Sequence, residues 1–200
     1  MESYRSLAKN PKVIAIGETG FDRFHVPKDA SLSSVMKVQY DTFISHALLA
    51  SELGLPMVFH VREAHEDLRS ALVDLRQKGV SVRGVVHCFS GTSEDAKWYL
   101  DYGLYLGFTG VVTFPAKKSA LDAYEDFQGI LRSMPIEKIL VETDAPYLAP
   151  QTFRGKRCEP WMVEDTARYI ANMRQLEYDV FKRQTVENSL VLFDKMKFSV

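Results

Sequence analysis

The sequence predicts an α/β protein built on a parallel sheet of about five strands with outer helices. Three observations predict it. Short apolar runs alternate with longer segments of helical spacing. Glycines close three of the helical segments, as a left-handed final residue requires. His and carboxylate residues recur just after the apolar runs, at the strand C-termini where parallel sheets gather ligands.

Val13–Gly17 is a short apolar run stopped by glycine and reads as a buried strand. Ser33–Leu53 carries helical spacing through Val35, Val38, Phe43, Ala47 and Leu48, with Gly54 as its stop. Pro56–Phe59 is the second strand. Ala64–Gln77 is a helix with Leu68, Ala71, Leu72 and Leu75 on one stripe, ended by Gly79. Val82–Val86 is the third strand. Thr92–Tyr102 is a helix capped by Thr92 or Ser93 and ended by Gly103. Leu104–Phe108 and Lys138–Val141 are the remaining strands, separated by a Leu121–Met134 helix. Pro160–Arg174 and Tyr178–Lys195 close the chain as helices. Crossover connections of this kind are right-handed and leave two architectures, a βα barrel or an open doubly wound sheet.

Two hundred residues, 46% hydrophobic and 26% charged, suit a soluble globular chain that buries a sizeable core. A net charge of −1 does not advertise nucleic-acid binding by the molecule as a whole, which leaves only a local basic patch for that role. The two cysteines, Cys88 and Cys158, form no disulfide framework, so a reduced, cytoplasmic compartment is expected. The first residues lack the apolar core of a signal peptide, and no apolar run is long enough to span a bilayer.

Glu18 follows the first strand, His60 the second, His87 the third, and Asp144 the fifth. Two imidazoles and two carboxylates meeting on one face read as a hydrolytic metal site. The surrounding residues carry a resemblance. Gly17-Glu18-Thr19-Gly20-Phe21-Asp22, His60-Val61-Arg62-Glu63-Ala64, His87-Cys88-Phe89-Ser90-Gly91 and Glu142-Thr143-Asp144-Ala145-Pro146-Tyr147 resemble successive signatures of the TatD-type metal-dependent deoxyribonucleases. Arg154-Gly155-Lys156-Arg157-Cys158-Glu159-Pro160 resembles a further element, with Cys158 where asparagine is usual. Thr185-Val186-Glu187-Asn188 resembles the C-terminal helix motif. The matches run in family order over nearly the whole chain.

The resemblance implies an incomplete TIM-like (β/α) barrel, a single domain over residues 1–200, and metal-dependent hydrolysis of phosphodiesters, with DNA cut from an end. It implies that Glu18 bridges two ions, that His60 and His87 serve one, and that Asp144 serves the other and accepts the proton of the attacking water. Mg²⁺, Mn²⁺ or Zn²⁺ suits such mixed N and O ligands. The family's usual N-terminal H-x-H pair is missing among the five histidines, so the chain reads as lacking the first strand–helix units. Glu18, His60 and His87 are then expected to keep one ion. Catalysis is expected to be weakened, and exposed sheet edges to favour self-association. Hydrolysis of another ester or amide, and a metal-binding remnant without turnover, are the competing readings.

Arg62 and Arg154 are candidate phosphate ligands, although Arg62 can equally pair with Glu63 or Glu66. Arg154, Lys156 and Arg157, with Lys117 and Lys118, form either a basic rim or ordinary surface charge. Trp161 is a candidate base-stacking residue, while Trp98, Tyr99 and Tyr102 read as packing. Glu142 points into the interior or supports another group through a hydrogen bond. Cys88 is expected to be buried away from the ligand face, and His25, His46 and His65 to have no partners.

Overall fold

The structure is a computed structural model that describes residues 1–196. It divides into two compact units. One comprises residues 1–87 with the described residues from 190 onward, and the other residues 88–189.

The first unit contains α1 (Glu2–Ala8), β1 (Ile16–Asp22), α2 (Leu32–Leu53), β2 (Met57–Arg62), α3 (His65–Gln77) and β3 (Gly84–Val86). Its three strands are parallel and lie in chain order. Gly20 pairs with His60 and Asp22 with Arg62, while Phe59 pairs with Val86. The two-residue period divides the strands cleanly. Thr19 and Phe21 of β1, and Met57, Phe59 and Val61 of β2, are buried. Glu18, Gly20 and Asp22 alternate with them, as do Val58, His60 and Arg62, so one face packs and the other is free for chemistry.

Helices cover the packing face. Phe43 of α2 lies between Phe21 and Phe59, with ring centroids 5.2 and 6.0 Å apart. Leu68, Leu72 and Leu75 place one stripe of α3 in the same core. Each such side chain contributes about 1.5–3 kcal/mol on burial. Ser31 caps α2 by accepting from the Ser34 N–H, and Gly54 ends it at φ 64°. Leu192 and Asp194 are tied in by Arg83, which donates to the Leu192 carbonyl and to the Asp194 carboxylate.

The second unit contains α4 (Ser93–Tyr102), β4 (Tyr105–Phe108), α5 (Leu121–Ser133), β5 (Ile139–Val141), α6 (Val163–Met173) and most of α7 (Tyr178–Leu192). The β4 and β5 strands are parallel, with Leu106 opposite Ile139 and Phe108 opposite Val141. Phe89, Phe108 and Phe127 form an aromatic core, with centroids 6.1–6.5 Å apart. Thr92 caps α4 through a reciprocal pairing with Asp95. Short 3-10 turns at Gln151–Phe153 and Pro160–Met162 precede α6.

Five parallel strands with outer helices is therefore the architecture found. Several boundaries differ from the sequence expectation, and three of the differences are the largest or bear on the site. The first strand begins at Ile16 and runs through Asp22, because Gly17 and Gly20 serve close backbone approach and not a turn. A Cβ on Gly20 would sit 2.0 Å from the His60 carbonyl oxygen, and one on Gly17 would sit 2.8 Å from the Val58 Cβ. The second strand likewise continues to Arg62, so Glu18 and His60 lie within strands and not after them. The helix expected from Pro160 starts only at Val163, behind a 3-10 turn.

Candidate metal centre

The β1–β2 register brings two of the four expected ligands into contact. The Glu18 carboxylate lies 2.5 Å from His60 Nδ1. Asp22, four residues along β1 on the same face, lies 3.3 Å from His60 Nε2. One imidazole is thus held between two carboxylates. An open cleft of about 420 Å³ is lined by Glu18, Thr19, Gly20, Asp22, Gln39 and His60. Gln39 closes one side by accepting from the Asp22 N–H and donating to the Asp22 carbonyl, at 2.9 and 3.0 Å.

The charges follow from these contacts. The hydrogen bond to Glu18 raises the His60 pKa against the opposing effect of burial, with Asp22 adding to the rise. The Glu18 carboxyl is lowered, first by that hydrogen bond and further by the charges of His87 and His60. Burial pushes the Asp22 carboxyl up, but N–H donors from His25 and Phe24 and the rings of His25 and His60 outweigh it and hold it at about 2. Both carboxylates are therefore ionised at neutral pH, which is the state a cation requires.

His87 follows β3 directly, with its N–H donating to the Phe59 carbonyl at 2.9 Å. It belongs to the same unit as Glu18 and His60. The donor set fits a divalent cation chemically, as mixed carboxylate oxygen and imidazole nitrogen. Among the described residues no group of three or more His, Cys, Asp or Glu side chains is gathered in an ion-holding arrangement. Both His60 nitrogens are engaged by carboxylates instead.

Asp144 lies in the second unit, three residues beyond β5, half-buried, and its carbonyl accepts from the Tyr147 N–H at 2.7 Å in a tight turn. Burial raises the thiol pKa of Cys158, and the charges of Asp144 and Glu159 raise it further. Glu142 accepts from the Cys88 N–H at 2.6 Å, the supporting role among its two options. Its carboxylate also packs where a Cβ on Gly107 would stand, 2.5 Å away. Cys88 corrects its expectation. Strand geometry ends at Val86, Cys88 adopts φ 47°, and its half-buried thiol lies 3.4 Å from Thr109 Oγ1.

Arg62 stacks on the Phe24 ring at 4.7 Å, and Arg154 on the Phe114 ring at 3.8 Å. None of the three histidines expected to be unpartnered is free, His65 included. His25 Nδ1 meets Asp22 at 2.7 Å, and His46 Nδ1 meets Thr19 Oγ1 at 3.1 Å. Asp22 is the residue whose role sequence reasoning missed. The signal was its two-residue spacing from Gly20 and four-residue spacing from Glu18, which puts all three on one strand face once β1 is extended.

The model of the TatD related DNase family matches residues 1–194. The chain belongs to that family. It is 37% identical over 194 residues to a metal-dependent hydrolase of uncharacterized role, YcfH of Escherichia coli K12, covering 96% of this chain and 67% of the relative. It is 35% identical over 193 residues to the 3'-5' ssDNA/RNA exonuclease TatD of Pantoea ananatis, covering 94% of this chain and 69% of that protein. The solved structure of YjjV, a TatD homolog from Escherichia coli, superposes with a TM-score of 0.79 at 25% identity, over 96% of this chain and 69% of that one. The fold is accordingly the TIM-like (β/α) type of the TatD family. No helix among the described residues is long and apolar enough to cross a membrane.

Proposed function

We propose that this TatD-family chain is a metal-dependent hydrolase that cleaves phosphodiester bonds of nucleic acid from a strand end. The observation that carries the reading is the Glu18–His60–Asp22 arrangement, two ionised carboxylates flanking one imidazole in an open cleft. Glu18, His60 and His87 would hold a divalent cation, Mg²⁺, Mn²⁺ or Zn²⁺. When bound, such an ion neutralises phosphate charge and acidifies water. Asp22 keeps the His60 ring oriented from behind, as carboxylates do for ligating imidazoles. Gly20 keeps the His60 backbone close to β1.

Asp144 is assigned the proton-accepting role by the motif it occupies, and Glu142 steadies the Cys88 backbone in the same unit. Arg154 and Arg62 are assigned to phosphate oxygens. Each guanidinium lies over a phenylalanine ring, a placement that leaves N–H donors for a bidentate contact.

The test is incubation of end-labelled single-stranded DNA with Mg²⁺ or Mn²⁺, with and without EDTA. Progressive shortening that EDTA stops, and that Glu18→Gln and Asp144→Asn each reduce at least tenfold, is expected. DNA left intact by the metal-loaded protein would overturn the substrate assignment. YcfH carries no substrate in its name, so turnover of a carboxylic ester or amide in parallel assays would then move the chain to the second reading.

A further inference from the structure

We propose that the exposed loop around Trp161 is a stacking platform for unpaired bases of a single nucleic-acid strand. The proposal rests on the nucleic-acid reading above and names the part of the strand that this surface takes. Trp161 lies in the Pro160–Met162 turn with 60% of its surface exposed. Such exposure is unusual for the largest apolar side chain, and it is not the result of a loose loop. Met162, Cys158 and Ala149 form a small buried core on which Phe153 packs. Trp161 meets Phe153 edge to face, with centroids 5.1 Å apart at 81°. The indole is thus braced from below and uncovered above. Trp98, the other tryptophan, contrasts with it, being stacked on Tyr102 at 5.2 Å and half-buried.

The surrounding charge selects the occupant. Between Phe153 and Trp161 stand Arg154, Lys156 and Arg157, all exposed, against one carboxylate, Glu159. Lys156 Nζ lies 5.8 Å from the Phe153 ring, and Arg157 reaches Glu159 at 3.6 Å in a solvent-exposed pair that contributes little. The loop is locally cationic in a chain whose net charge is −1. A second exposed aromatic, Tyr147, 69% exposed, sits on the loop joined to this one by the Cys158 N–H donating to the Pro146 carbonyl at 3.0 Å. Aromatic faces interleaved with cations match a polymer that alternates flat bases with phosphates. A duplex hides its base faces, so the platform discriminates in favour of single strands.

The test reads binding without turnover. In EDTA, a Trp98→Phe variant leaves Trp161 as the sole indole. Titration with an oligothymidylate of about ten nucleotides should quench its fluorescence saturably. An abasic phosphodiester chain of equal length should bind roughly tenfold or more weakly. Trp161→Ala, in the otherwise native chain, should weaken oligothymidylate binding by a similar factor, and Trp161→Phe should restore most of it. Lys156→Ala should lower the salt dependence by about one phosphate contact. Equal binding of the abasic chain, unchanged affinity in Trp161→Ala, or competition by polyglutamate as strong as by oligothymidylate would each overturn the platform. DNA cleavage with Trp161→Ala binding unchanged sinks the platform alone. Trp161-dependent binding without cleavage sinks the hydrolase reading alone.

Discussion

Replacing Asn188 with alanine should unpin the start of β5. The Asn188 side chain is 3% exposed. Its amide donates to the Ile136 carbonyl at 2.7 Å and to the Ile139 carbonyl at 2.8 Å, and its oxygen accepts from Gln184 Nε2 at 2.9 Å. Ile139 opens β5, the strand that leads to Glu142 and Asp144. Alanine leaves both carbonyls without these donors, that of Ile139 in a buried site and that of Ile136 in a part-buried one. Each lost donor costs about 1–2 kcal/mol, so the total is about 2–4 kcal/mol. With a urea slope of about 2 kcal/mol/M, the denaturation midpoint should fall by roughly 1–2 M. Asn188→Asp should be at least as damaging at neutral pH, because a carboxylate oxygen then faces two carbonyl oxygens. Ser189→Ala, which removes only a bond back to the Thr185 carbonyl, should stay within about 0.5 kcal/mol. Urea unfolding of metal-free protein, followed by circular dichroism and fluorescence together, makes the measurement. A loss below about 1 kcal/mol for Asn188→Ala would refute the claim that this amide holds the strand.

Gly20→Ala would place a methyl 2.0 Å from the His60 carbonyl oxygen, so β1 and β2 must separate where Glu18 meets His60. We expect a thermal midpoint at least several degrees lower and Mn²⁺ binding by calorimetry weakened more than tenfold; wild-type affinity in this variant would show that the close approach is dispensable. His46 supplies the pH prediction. Burial lowers its pKa, so the unfolded chain protonates first. Its contribution to stability is fully present above the unfolded value of about 6.5 and is lost as pH falls through the folded value below it. The stability difference between wild type and His46→Gln should therefore shrink from pH 8 to pH 5.5. A difference that is constant across that range would remove His46 from the account.

Most of the fold is legible in the sequence because its helices are strongly punctuated. Gly54 and Gly103 end α2 and α4 in left-handed conformation, and the apolar stripe of α3 is regular. The strands are less legible where function intrudes. In β1 the residues after Ile16 are Gly, Glu, Thr, Gly, Phe and Asp, only one of them an apolar strand former. Local propensity says turn. Pairing with β2 overrides it, because a glycine opposite His60 admits the neighbouring backbone where any other residue would clash. Cys88 fails in the opposite sense. Alternation is extrapolated past the last ladder residue, and a left-handed backbone sends the chain elsewhere.

The same alternation explains how one strand serves both core and cleft. Thr19 and Phe21 point inward, where Phe21 meets Phe43 and Thr19 meets His46. Glu18, Gly20 and Asp22 point outward, where the two carboxylates bracket His60. A slip of one residue would bury Glu18 and Asp22 and push Phe21 into the cleft, exchanging an aromatic contact for two unpaired buried charges. Register is therefore a requirement of the chemistry as much as of the packing. The register shift falls between the Ile16–Met57 and Thr19–Phe59 pairs, at the stretch that carries Glu18, and leaves the continuous pairing from Thr19 to Asp22 intact. Gly20 is where both demands meet. It keeps the strands close enough for one imidazole to reach a carboxylate on each side, and it offers no side chain that would fill the space between them.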